Sequence, residues 1–314
     1  MPGPEEVYQK KKGWSRKNIS KNIFVWTMLA YPLLLFLVFY IGVNASSFIM
    51  SFQEYHLNGP ATFAGLANFK QFLGEIFGNG ALLNIALSNS LKMYIISLVI
   101  CMPLYLIFSY LLYKKVRGHR FIRFAIMVPS VISTFVFCLV FKYFVGEPFQ
   151  QIMGLFGAKD FPNLLKDLNT QFGTTLFYDI WVSFTMSMIV YSNAMNAIDD
   201  EIIESAHLDG INNMIQEMYH IILPLIFPTI SVFLITGFAG ILSNGGSIML
   251  FFTYSADPVV YNMGYYYTVK VANVPNQLGY PVLAAGGMLM TMLVAPLTIL
   301  LRYFLEKYSP VRDA

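Results

Sequence analysis

Asp199-Asp200-Glu201-Ile202-Ile203-Glu204-Ser205-Ala206-His207-Leu208-Asp209-Gly210, followed further on by Ile222-Leu223-Pro224, is a short acidic stretch set between long apolar runs. Its three leading acids suit the first turn of a helix, where carboxylates meet the positive end of the macrodipole. That helix is expected to run to about Leu208, with Gly210 as the left-handed residue that closes it. A second helix is expected from about Ile211 through Ile222, with Pro224 and Pro228 marking the start of the next apolar run, where a proline begins or bends a helix. The whole reads as a helix-turn-helix lying on a membrane face. By composition alone it is equally an amphipathic re-entry helix carrying ordinary solvated acids.

What flanks this stretch sets the fold class. Of the 314 residues 56% are hydrophobic and 12% charged, and the mean hydropathy is +0.58. Soluble domains carry roughly 25% charged residues. Residues 24–44, 93–113, 124–141, 180–198, 221–252 and 271–301 contain no charged side chain. A bilayer core of ~30 Å needs ~20 helical residues, so these runs predict six transmembrane helices in an all-α integral membrane protein. They lack the alternation of a transmembrane barrel. The first run is too long for a typical signal-peptide core and no small-x-small site closes it, so it reads as a retained helix. Cys101 and Cys138 both fall within predicted spans, as small buried hydrophobes do. With both termini inside, fourteen of the 20 Lys and Arg residues are cytoplasmic, the asymmetry expected of a multi-pass protein. The loop from Asp199 to His220 has six acids and no Lys or Arg, so parity alone places it inside.

The ordered set Glu204, Ala206, Asp209, Gly210, Leu223 and Pro224, between the fourth and fifth of six runs, resembles the signature loop of the permease subunits of ATP-binding-cassette (ABC) importers. Ser205 stands where that family has an alanine, and Ile211 where it has a small residue. Gly65-Leu66-Ala67-Asn68-Phe69, Arg123 followed by Pro129, and Trp181 ahead of the acidic loop resemble the carbohydrate branch, which includes maltose-type importers. Tyr254-Ser255-Ala256-Asp257-Pro258 replaces a glycine run common there and is similar to the polysaccharide-fragment permeases. The resemblance implies the type I (MetI-like) architecture: residues 1–22 as a cytoplasmic segment, 23–304 as a six-helix permease domain with a coupling loop at 199–221, and 305–314 as a cytoplasmic tail. It implies a cell-membrane protein that works with a second permease, two ABC ATPases and an extracytoplasmic solute-binding protein. Glu204 would then pair with a basic residue of the ATPase. ATP and Mg would sit on those ATPases, with no cofactor in this chain; no Walker-type Gly-Lys-Ser/Thr loop occurs here. No nucleic-acid partner is expected.

Polar residues inside a span are costly and tend to face an interior cavity. Ser243-Asn244-Gly245-Gly246-Ser247 interrupts the fifth run, and Ser243, Asn244 and Ser247 are candidate sugar contacts. Helix packing through the small residues explains the same stretch equally well, and would make Gly245 the crowded position. Tyr191, Asn193 and Trp181 in the fourth run are further candidates, since aromatic faces pack on sugar rings. An ion-coupled secondary transporter would want an acid buried mid-span, whereas Asp179 and Glu147 are expected only at outer ends. A membrane-embedded enzyme would want a His/Asp or paired-acid constellation that the sequence does not offer, and the four histidines show no metal spacing. An ABC permease for a non-sugar solute is the nearest rival.

Overall fold

The computed structural model describes residues 16–310 apart from 58, 79–81 and 159–160. Residues 1–15 of the expected N-terminal segment and 311–314 of the tail lie outside the described residues.

The chain is mostly helical. Among the described residues three helices are long and apolar enough to cross a membrane: Ile23–Ser51, Leu82–Tyr113 and Tyr280–Lys307. A fourth emerges if Met214–Leu225 and Phe227–Ala239, bent by 68° at Ile226, count together. The helix Gln171–Asn196 adds 26 residues. The first helix leaves its most apolar window wholly unburied, with Trp26, Tyr31 and Phe39 outward. Such a surface is tolerable only against lipid or another apolar protein face.

Several expected runs are interrupted. The run at 124–141 divides into His119–Val131 and Thr134–Phe144. The run at 221–252 is helical only to Ala239, turns through 240–247 and resumes as Ile248–Phe252. The run at 271–301 belongs to two helices, Met263–Asn273 and Tyr280–Lys307. The breaks have local causes. Asn244 Oδ1 accepts the Gly246 N–H at 2.9 Å, a side-chain turn that competes with the helix ladder, and Gly246 sits at φ +58°. Prolines shape the unbroken helices too. The wide turns Ser97–Cys101 and Met218–Ile222 precede Pro103 and Pro224, and their ladders skip to Met102 N–H→Ser97 O and Leu223 N–H→Met218 O. A proline lacks an N–H and crowds the carbonyl four residues back, and widening the turn relieves both.

One element is not helical. Gln53–His56 and Gly59–Phe63 form an antiparallel hairpin with Gln53 opposite Phe63. Asn68, buried, anchors it by donating to Ser51 O (2.9 Å) and Gln53 O (2.7 Å), while Phe69 packs on Phe52 with ring centroids 5.2 Å apart. These bonds give the Gly65–Phe69 stretch a structural role. Tyr265 and Tyr266 are equally interior: both are buried, and the Tyr266 hydroxyl donates to Glu75 at 2.8 Å.

Candidate functional sites: the loop helix and the polar cavity

Asp200–Leu208 forms the expected loop helix, with Asp200 and Glu201 in its first turn and Asp199 just before it. Its end is a Schellman motif. Gly210 sits at φ +94°, its N–H reaches His207 O at 3.2 Å, and Ile211 N–H reaches Ala206 O at 3.1 Å. Ile203 is the helix's one buried residue, packed in a cluster with Tyr110, Tyr191 and Ile222. Glu204, Ser205, Leu208 and Asp209 are all exposed, Leu208 at 90%. Among the described residues Glu204 forms no ion pair. The helix therefore rests on one apolar anchor and turns a face of acids plus a naked leucine away from the chain.

The second helix starts at Met214 rather than Ile211, because Asn213 caps it by accepting Ile215 N–H at 3.1 Å. It carries Glu217, buried, which pairs with Lys114 at 2.6 Å. His207 Nε2 stands 3.8 Å from the other Glu217 oxygen. This carboxylate thus ties the loop helix and the fifth run to the end of Leu82–Tyr113. Pro224 lies about two turns on, just past the wide turn that leads into the bend.

The second site is a cavity of about 470 Å³. Its lining includes Asp179, Ser183, Asn244, Gly246, Ser247 and Asn262. It adjoins a lobe of about 330 Å³ that reaches Ser187 and Tyr191 and shares Tyr94, Tyr105 and Ser183 with it. Asp179, Ser183, Ser187 and Tyr191 are spaced by four, so they form one face of the fourth helix. Asp179 Oδ1 accepts the Ser247 N–H at 3.0 Å, which fixes the turn at 240–247 against that face. The polar residues Asn89 and Ser90 hold the opposite wall: Asn89 donates to Val259 O (2.8 Å) and Tyr261 O (2.9 Å), and Ser90 Oγ accepts Met263 N–H at 2.9 Å.

Of the sequence candidates, Asn244, Ser247 and Tyr191 line these lobes and the other three do not. Ser243 faces a separate apolar groove of about 940 Å³ along the last helix. Asn193 is exposed. Trp181 joins an aromatic cluster with Phe137 (5.1 Å) and Phe177 (6.2 Å). Both lie two positions from a cavity-facing residue, hence on the other side of the helix. Asp179 is the residue that sequence reading set aside as an outer-end acid. Its spacing from Ser183, Ser187 and Tyr191 was the available signal. Among the described residues no group of three or more His, Cys, Asp or Glu could hold a metal ion.

The fold is that of an ABC importer permease. A bacterial ABC transporter that imports the acidic polysaccharide alginate superposes with a TM-score of 0.73 over 93% of this chain and 98% of that one, at 18% identity. The alginate transporter in complex with a pentasaccharide-bound periplasmic protein gives 0.71 over 94% and 96%, at 19% identity. Curated relatives are permease proteins of sugar transport systems. The arabinooligosaccharide permease AraP of Bacillus subtilis is 26% identical across 92% of this chain and 91% of its own length. MsmF of Streptococcus mutans, from a multiple sugar-binding system, is 25% identical across 69% and 73%. The maltose/maltodextrin permease MalF of Salmonella typhimurium is 26% identical across 60% of this chain and 38% of its own length. No family model matches the chain.

Proposed function

We propose that this chain is the permease subunit of an ATP-driven importer that passes an oligosaccharide through the Asp179–Ser247 cavity by alternating access. The observation that supports this best is the pairing of that cavity with an outward-facing acidic loop helix in a chain similar along nearly all its length to AraP. In this reading the chain crosses the membrane six times. His119–Val131 and Thr134–Phe144 share the third crossing, and the bent pair about Ile226 makes the fifth. The Lys and Arg asymmetry places both termini in the cytoplasm. Segment 199–221 docks in an ABC ATPase, with Glu204 meeting a basic residue there and Leu208 filling an apolar pocket. ATP and Mg are bound by two such ATPases. A second permease completes the membrane unit, and an extracytoplasmic binding protein delivers the sugar.

The bent fifth run supplies the moving part. Ion pairing at Glu217 holds the loop helix to the inner end of the second helix, so displacement of the loop helix pulls on the bend at Ile226. The turn at 240–247 follows on the same run. Opening of this kind about a fixed central site is the general pattern of transporters with broken helices.

Asp179 favours one other reading. An acid in a cavity wall is also what an ion-coupled carrier uses. Proteoliposomes holding the chain with its partner permease, ATPases and binding protein separate the two. ATP-dependent uptake of labelled arabino- or malto-oligosaccharide, unaffected by ionophores, is the expected result. Uptake driven by a proton or sodium gradient without ATP would overturn the importer reading.

A further inference from the structure

Asp179 Oδ2 and the Ser247 hydroxyl are shielded together in the cavity wall, and Ser247 is the residue that hydrogen-bonds the carboxylate. Nothing positive offsets the carboxylate. The cavity lining contains no Lys, Arg or His, and among the described residues Asp179 takes part in no ion pair. Lys142 directs its ammonium to Phe251 O at 2.6 Å. Gly246 packs closely on the carboxylate, where a Cβ would stand 2.6 Å from Asp179 Oδ2. The remaining polar wall is hydroxyl and amide: Ser90, Ser97, Ser183, Thr236, Asn244 and Asn262. Such groups bond neutral hydroxyls but carry no charge.

An acid with no cation beside it in a poorly hydrated wall repels anions, and that repulsion is weakly screened. We propose that Asp179 is the charge filter of this cavity. Its uncompensated charge bears on whatever enters, so neutral oligosaccharides are taken and carboxylated ones are turned away. The inference rests on the carbohydrate reading of the cavity. It separates this chain's expected cargo from the acidic polysaccharide imported by the transporter with the same fold.

The test uses the whole complex of both permeases and both ATPases in nanodiscs, without the binding protein, so that its selectivity does not intervene. Equilibrium dialysis measures retention of labelled arabinopentaose, maltopentaose and pentagalacturonate. Wild type should retain a neutral sugar and bind pentagalacturonate at least about tenfold more weakly. Asp179→Asn should bind pentagalacturonate more tightly and narrow the neutral-to-acidic ratio by about tenfold or more. Asp179→Glu, which keeps the charge but displaces it, should preserve the exclusion of pentagalacturonate. If the Asn variant does not assemble, the wild-type ratio and the Glu variant still decide. Wild type binding pentagalacturonate as well as the neutral sugars would overturn the proposal, as would an Asp179→Asn protein with unchanged ratio. In either case the carbohydrate reading stands. Wild type retaining none of the three sugars would overturn both.

Discussion

Glu217, buried, and Asp179, half-buried, are carboxylates that the fold treats in opposite ways. Glu217 sits at the base of the loop helices with Lys114 at 2.6 Å and His207 nearby. Asp179 sits in the cavity wall with one backbone N–H and no cation. A buried acid is costly unless paired. The first is a compensated joint between two segments. The second keeps its charge uncompensated and is held by Gly246 and Ser247 against the fourth helix.

The largest expected effect tests how rigid the cavity wall is. A Cβ on Gly264 would stand 2.4 Å from Gly245 N and 2.5 Å from the Asn244 carbonyl carbon. Those are backbone atoms of the turn that carries Asn244 and Ser247, so they cannot rotate away. Gly264→Ala should cost about 3 kcal/mol or more, the upper end of overpacking, and sharply lower the yield of assembled complex. Gly245→Ala meets its neighbours at 3.6 Å and should be tolerated. Helix packing through the small residues would make Gly245 the crowded glycine; the crowding is instead at Gly264, on the helix packed against it. Size-exclusion yield of the two variants checks this, and equal yields would mean that the two segments are not held in contact.

The joint comes next. Lys114→Met strands a Glu217 side chain that is 3% exposed. Breaking a buried pair costs about 3–5 kcal/mol, and the 23% exposure of Lys114 places this one near the lower end. Thermal unfolding of the complex should fall accordingly. Replacing both partners, Lys114→Met with Glu217→Leu, should restore most of it, since no lone charge remains. If the double variant is as unstable as the single one, the pair is not the source of the effect.

These two regions also differ in how far the sequence disclosed them. The loop helix is local: its acids and its Gly210 terminator lie within a dozen residues, so helix chemistry alone placed them, whereas the anchor Ile203 emerged only from the packing. The cavity is assembled from the fourth helix, the 240–247 turn and the 259–263 segment, which the sequence separates widely. Asn244 and Ser247 drew notice because they interrupt an apolar run, and Tyr191 because an aromatic face packs on a sugar ring. Trp181 and Asn193 were chosen by residue type rather than by helix face, and both point elsewhere. Asp179 was read by its distance from the end of a run, whereas its four-residue spacing to Ser183 carried the information. Apolar length likewise overstated continuity at 221–252, because an Asx turn and a left-handed glycine can end a helix inside an apolar stretch. Asn89 and Ser90, which staple the far wall, gave no signal beyond being polar in a span.

Gly210→Val probes the loop at a smaller cost. Nothing lies within 4 Å of the Cβ position at Gly210, so the penalty is backbone alone, about 1–2 kcal/mol for a β-branched residue held left-handed. Assembly and sugar retention should survive, while sugar-stimulated ATP hydrolysis should drop. Gly210→Asn, which tolerates that conformation better, should recover much of it. Unchanged coupling in the valine variant would show that the terminator does not position the docking face.

The smallest effect is the sharpest test of the contrast between the acids. Asp179→Asn preserves the size of the side chain and an oxygen that can accept the Ser247 N–H, now 3.0 Å from Oδ1. It removes a charge that no cation offsets. Its loss should therefore leave the unfolding temperature unchanged or slightly raised, since an uncompensated, partly buried charge opposes folding. Glu217→Gln removes a charge that Lys114 does offset, and should destabilise by about 1–3 kcal/mol as the lysine loses its charged acceptor. Run side by side in the same nanodiscs, the two neutral substitutions should move the melting temperature in different directions. An Asp179→Asn protein that melts as low as Glu217→Gln would make Asp179 a second structural joint. The carboxylate would then be a feature of packing, and the cavity would have no acid acting as its charge filter.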